Sequence, residues 1–83
     1  MWFVYVLLCE DNTLYTGSTN NLEKRFEAHK SGKGSKYTRS HKPIRIIYKE
    51  EFQTKSESLK REIEIKSWPR ERKIQALKLT DNV

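Results

Sequence analysis

Eighty-three residues with 17 Lys plus Arg against 11 Asp plus Glu carry a formal charge of +6 and a pI near 9.6; a chain this short has one core, since folding buries only about 60 to 65% of its unfolded surface. The 35% hydrophobic share beside 34% charged residues would suit a disordered chain, but nine aromatic residues and clean periodic runs exclude that class. No stretch approaches the roughly 20 apolar residues of a membrane span, the first apolar run has no basic leader, and a single cysteine closes no internal disulfide, so the expectation is a soluble cytoplasmic protein of one domain, residues 1–83.

Residues 2–9 carry no charge and are rich in β-branched and aromatic side chains, and the run is too short for anything but a strand buried on both faces. Glu10-Asp11-Asn12 interrupts it, and residues 13–17 read as a second strand of a hairpin. A three-residue loop puts Cys9 opposite Thr13, with Asn12 in the left-handed conformation; Tyr5 and Tyr15 then share a sheet face. A two-residue loop would send the two hydroxyls to opposite faces. The first register is the expectation. Cys9, inside the most apolar strand, reads as a buried, inert thiol.

Asn20 followed by Glu23 reads as a capping box, so a helix is expected from about Asn21 through Leu22, Arg25, Phe26 and His29, which form one stripe. On spacing alone Arg25 reads first as a snorkelling side chain and His29 as a neutral, hydrogen-bonded histidine near the helix end. The helix stops at Ser31-Gly32-Lys33-Gly34. Residues 30–43 then read as a loop that carries Lys30, Lys33, Lys36, Arg39 and Lys42, with Tyr37 and His41 and no acid. Nearly the whole charge imbalance therefore sits in one segment, which points to a phosphate backbone as partner, because each neutralised phosphate releases counterions. Tyr37 has three readings: stacking on a base, hydrogen bonding to a phosphate, or anchoring the loop to the body.

Residues 44–52 read as a third strand with Ile44, Ile46 and Tyr48 on one face. Thr54 and Glu57 form a second capping box, opening a helix through Leu59, Glu62, Ile63 and Lys66. Glu62 has two readings: a surface pair with Lys66, worth about 0.2 to 0.5 kcal/mol, or a carboxylate turned toward the sheet as an oxygen ligand for a divalent cation. Trp68-Pro69 ends that helix and starts another, with Ile74, Leu77 and either Ala76 or Leu79 inward and its Arg and Lys residues on a solvated face. Residues 80–83 are expected to fray.

Tyr5, Tyr15-Thr16-Gly17, Arg25, His29, Tyr37 and Glu62, in this order and at these intervals, resemble the GIY-YIG nuclease family, in particular its small stand-alone members, from Tyr5 to about Trp68. Phe3-Val4-Tyr5 stands at the family's first motif, with Phe3 where the name-giving glycine would be, and Thr16 replaces an aliphatic residue in the second. The resemblance implies an α+β fold in which a small three-stranded antiparallel sheet is flanked by helices, in the order β-β-α-β-α-α. It also implies cleavage of phosphodiester bonds with one divalent ion, Mg²⁺ or Mn²⁺, held by Glu62. Arg25 would then neutralise phosphoryl charge, Tyr15 receive a proton from the attacking water and Tyr5 position it, or the reverse. His29 and Tyr37 would hold phosphate or relay protons, and Gly17 would let the backbone pass close to the pocket. These groups are expected on one side of the sheet, with the cationic loop as a wall for nucleic acid, DNA ahead of RNA. A module of the same fold that binds without cutting is the alternative, and an adaptor that docks proteins through Trp2, Trp68 or the last helix is a third reading.

Overall fold

An uncharged strand buried on both faces needs a neighbour on each edge and a layer on each side, and β1 (Trp2–Cys9) has all four. It is the centre of a three-stranded antiparallel sheet of order β2-β1-β3, with β2 (Leu14–Thr19) and β3 (Pro43–Phe52) at the edges. Val4 to Cys9 are all buried. The helices are α1 (Leu22–Lys30), α2 (Lys36–Ser40), α3 (Lys55–Lys66) and α4 (Arg70–Ala76). This is the expected α+β architecture, in a computed structural model that describes residues 1–80. The fraying expected of residues 80–83 falls, for 81–83, outside the described residues.

Alternation along β1 separates two layers. Val4 and Val6 point to α3 and α4, where they form the core with Ile65, Leu77 and Leu79. Each such aliphatic side chain contributes about 1.5 to 3 kcal/mol by leaving water. Tyr5 points to the other face, where α1 brings His29 over it. At the end of α4, Lys78 takes a left-handed φ of 56° and the amide of Leu79 donates to Ile74 O at 2.8 Å, which turns Leu79 into the core and leaves Ala76 exposed.

Four expectations change. The segment read as a loop contains α2, whose cap Ser35 accepts from the amide of Thr38, so the element order is β-β-α-α-β-α-α. The cap of α1 is Asn21, which accepts from Lys24 N at 3.1 Å, rather than Asn20. In β3, register shifts opposite Val6/Leu7 and Leu8/Cys9 break the alternation. Tyr48 therefore faces the core across from Val6, Ile46 turns to the α1 side across from Leu7, and Ile44 is exposed. In α3 the Thr54–Glu57 capping box is present, but the inward stripe is Ser58, Glu62 and Ile65, while Leu59 and Ile63 face solvent. The phase of α3 follows Ile65, the side chain that fills the space over Val4 and Val6.

Candidate active site

The hairpin turn sets up the site. Asn12 adopts φ 67°, its amide donates to Cys9 O at 2.9 Å, and the amide of Cys9 donates to Thr13 O at 3.0 Å. Leu7 therefore pairs with Tyr15 and Tyr5 with Gly17, as the three-residue loop requires. The rings of Tyr5 and Tyr15 lie on one face with centroids 6.4 Å apart. The absence of a side chain at Gly17 is what lets the Tyr5 ring lie flat there: a Cβ would stand 2.5 Å from the Tyr5 hydroxyl and 2.7 Å from Cζ. Gly17 thus lets backbone run close beneath the pocket, in contact with the Tyr5 ring.

From that ring a buried hydrogen-bond chain runs outward. The Tyr5 hydroxyl lies 2.8 Å from His29 Nε2, and His29 Nδ1 lies 2.8 Å from Thr38 Oγ1. Thr38 is fixed in turn by the Ser35 cap. Gly34 makes room for the imidazole, since a Cβ there would fall 2.7 Å from His29 Cγ. Tyr5 is 1% exposed and His29 0%. Burial pushes the Tyr5 phenol up to about 12, against the opposing pull of the Arg25 guanidinium. Burial first, and Arg25 second, hold His29 down at about 4. At neutral pH both groups are uncharged. With both ring nitrogens occupied and no exposed surface, His29 has no route to a phosphate, so of its two expected roles only the relay through Tyr5 agrees with the geometry.

Arg25 reaches across from α1, where its Nη2 donates to Gly34 O at 3.1 Å and its Nε is buried without a partner. Tyr37, from α2, packs between Tyr15, 5.7 Å away, and His41, stacked at 4.4 Å with planes 25° apart. These ring contacts fit the anchoring reading, although Tyr37 keeps 37% of its surface exposed. His41 pairs with Asp11, so the segment is clasped to the hairpin turn at its far end. Of the five cations expected to meet nucleic acid, Lys30 pairs with Glu27 at 2.9 Å and lies over Phe26, whereas Lys33, Lys36, Arg39 and Lys42 are exposed.

Glu62 enters from the other layer. Its side chain is 15% exposed and accepts from Ser18 Oγ at 2.6 Å, the length of a charge-assisted bond. Lys66 Nζ sits 2.7 Å from its second oxygen and 5.9 Å from the centroid of Tyr15. The pair reading and the inward reading both hold, because the i,i+4 pair itself faces the sheet edge. Ser18 alternates with Gly17 and so lies on the α3 face. The groups therefore do not share one side of the sheet: they straddle the open edge of β2, with Lys66 reaching round from Glu62 to Tyr15. Ser18, Gly34 and Thr38 escape sequence reasoning because each acts as a spacer or a hydrogen-bond partner that only the fold defines. Thr16, a departure from the family motif, is 3% exposed with a hydroxyl that has no partner.

A family profile described as "GIY-YIG catalytic domain" matches residues 1–75. The chain belongs to the GIY-YIG family. The UPF0213 protein SH2523 of Staphylococcus haemolyticus is 45% identical over 75 residues, covering 90% of this chain and 92% of that protein. A UPF0213 protein of Staphylococcus aureus is 45% identical over 76 residues, covering 92% and 93%. The solution NMR structure of the UPF0213 protein BH0048 from Bacillus halodurans superposes with a TM-score of 0.62 at 38% identity, over 99% of this chain and 88% of that one. GIY-YIG is a nuclease family, so membership points to nucleic acid as the class of partner. Among the described residues no helix is long and apolar enough to cross a membrane, and no three His, Cys, Asp or Glu side chains group as a metal cage. The oxygen donors grouped at this edge of the sheet are the Glu62 carboxylate and the Ser18 hydroxyl beside it.

Proposed function

We propose that this chain is a GIY-YIG endonuclease that hydrolyses phosphodiester bonds in DNA, branched or single-stranded forms included, with one Mg²⁺ or Mn²⁺ held by Glu62. The observation that carries the reading is the inward carboxylate of Glu62, nearly out of solvent and bonded to Ser18. A helical carboxylate beside a sheet edge is unfavourable there unless a cation compensates it. The donor set suits a hard, hydrated ion, which takes one or two carboxylates and completes its shell with water and substrate phosphate. The Lys66 ammonium marks the same place as one where positive charge is stabilised. When bound, the ion would supply Lewis-acid stabilisation of the departing oxygen.

The side chains of this protein supply the rest. Tyr5 stays a phenol at neutral pH and, buried and fixed by His29, positions the ring of Tyr15, 6.4 Å away, rather than touching the attacking water itself. Tyr15, the less buried of the two, accepts the water's proton while giving its own phenolic proton up to solvent. Arg25 turns the exposed end of its guanidinium to the phosphoryl oxygens, where a rigid fork neutralises charge better than an ammonium, while its Nε stays buried. Lys33, Lys36, Arg39 and Lys42 hold the flanking backbone. A cytoplasmic setting belongs to the same reading, supported by the buried free thiol of Cys9.

One observation favours a second reading, binding without cleavage: the carboxylate is already engaged by Lys66. Cleavage assays on branched, flapped, single-stranded and duplex DNA with Mg²⁺ and Mn²⁺ decide between the two. Glu62→Gln is expected to abolish cleavage and leave DNA affinity within about twofold; equal cleavage by both proteins would remove the metal role, and binding without any cleavage by the unaltered protein would establish the second reading. The two tryptophans of the adaptor reading each have cations beside the ring: Lys55 lies 5.4 Å from Trp2, and Arg61 and Arg72 lie 5.4 and 5.2 Å from Trp68.

A further inference from the structure

The cations of α4, read from sequence as a solvated face, do not all point to water. Arg70 and Lys73 line a cleft of about 220 Å³ with Thr13, Leu14 and Tyr37, so α4 stands across from α2 with the start of β2 between them. Lys66 lies close enough to Lys73 to repel it. Among the described residues neither Arg70 nor Lys73 has an acid within ion-pair distance, whereas Lys66 is paired with Glu62 and Arg72 lies over Trp68. Lys73 is half-buried and Arg70 exposed beside it, and cations that face one another without a counter-charge are unfavourable in the free protein. Burial and the charges of Lys66 and Arg70 accordingly pull the Lys73 ammonium below its ordinary range. A bound anion relieves that cost at once, and a run of phosphates relieves it at several positions.

We propose that this cleft is a second backbone-binding wall, in which Arg70 and Lys73 grip phosphates of the same nucleic acid that runs over the exposed cations of residues 33–42. The inference rests on the proposed function and adds the path of the strand. Lys36 and Arg39 present charge on the α2 side of Tyr37, and Arg70 and Lys73 on the α4 side. A polyanion laid across the aromatic group Tyr15–Tyr37 meets both sides; an isolated acidic side chain would meet only one. Tyr37, held by its ring contacts with Tyr15 and His41, stands between the two walls.

The test is the salt dependence of binding. A fluorescein-labelled single strand and a duplex of the same sequence are titrated, without divalent ion, over a series of NaCl concentrations. The logarithmic slope falls by about 0.9 for each duplex phosphate that is no longer neutralised and by about 0.7 for each one on a single strand. The double variant Arg70→Gln/Lys73→Gln is expected to flatten the duplex slope by about 1.8 and weaken binding at least tenfold at low salt. Arg72→Gln, with a single charge removed on the same helix, is expected to leave the slope unchanged. Removing mutual repulsion from the cleft should leave the double variant at least as heat-stable as the parent, so a loss of binding does not come from unfolding. Salt-dependent binding by the parent that the double variant matches would overturn this wall alone. No binding by the parent would overturn the proposed function and this inference together. A slope decrease as large with Arg72→Gln would reduce the effect to net charge and overturn the cleft as its location.

Discussion

The Tyr5 hydroxyl is 2.8 Å from Nε2 of His29, and both rings are sealed from water. The seal has a measurable cost in acid. The folded protein holds His29 near 4, below the 6.5 of an unperturbed histidine, so between those values the unfolded chain binds a proton that the folded one refuses. Stability is then fully present above about pH 6.5 and falls as pH drops toward 4, by on the order of 3 kcal/mol. Urea midpoints measured from pH 7.5 to 4 should show this decline in the parent and a much flatter curve in His29→Gln. Asp11, held near 2 by the Thr13 hydroxyl and by His41, adds its own loss from about pH 5 downward, which the His29→Gln curve retains and so isolates.

Gly17→Ala and Gly34→Ala should each lower stability by about 1 to 3 kcal/mol, because the new methyl groups meet Tyr5 and His29 at distances that force one ring to move. Neither glycine has a left-handed φ, so the effect is steric rather than conformational. Urea denaturation gives the magnitude. Loss of the pH dependence assigned to His29 would report that the buried chain has opened.

Thr16→Val should stabilise the protein by about 1 kcal/mol. The hydroxyl at this position is buried with no partner, and valine keeps the shape while removing the stranded polar group. A melting temperature lower than the parent's would show that the hydroxyl does find a partner in solution.

Lys66→Met should raise affinity for Mn²⁺ severalfold, read by calorimetry without nucleic acid. The ammonium 2.7 Å from the Glu62 carboxylate competes for the oxygen that the proposed ion would use. In Glu62→Gln/Lys66→Met the binding should vanish, and retention of it would move the ion elsewhere.

Local chemistry made the hairpin legible in sequence. A three-residue turn with Asn12 at its left-handed position fixes the parity of every pair in β1 and β2, and with it the meeting of Tyr5 and Tyr15. Glu62 was legible for a similar reason, since its spacing from Lys66 is fixed within one helix. What depended on tertiary packing was not. Ile44 faces solvent because register shifts break the alternation of β3, and Leu59 and Ile63 do the same because Ile65 sets the rotation of α3. The short α2 is signalled only by a serine three residues before a threonine, a pattern too common to stand out in a glycine-rich stretch. Arg70 and Lys73 look like any solvated charges until the fold closes a cleft around them.

The clasp between Asp11 and His41, with His41 stacked on Tyr37 and Thr38 bonded to His29, ties down the second half of the cationic segment before anything binds. A platform that is already ordered surrenders little freedom on contact. Encounter, drawn by long-range attraction, should then limit the speed of capture, and added salt should slow arrival more than it hastens departure. The protein in this respect works as a fixed anvil instead of a closing jaw.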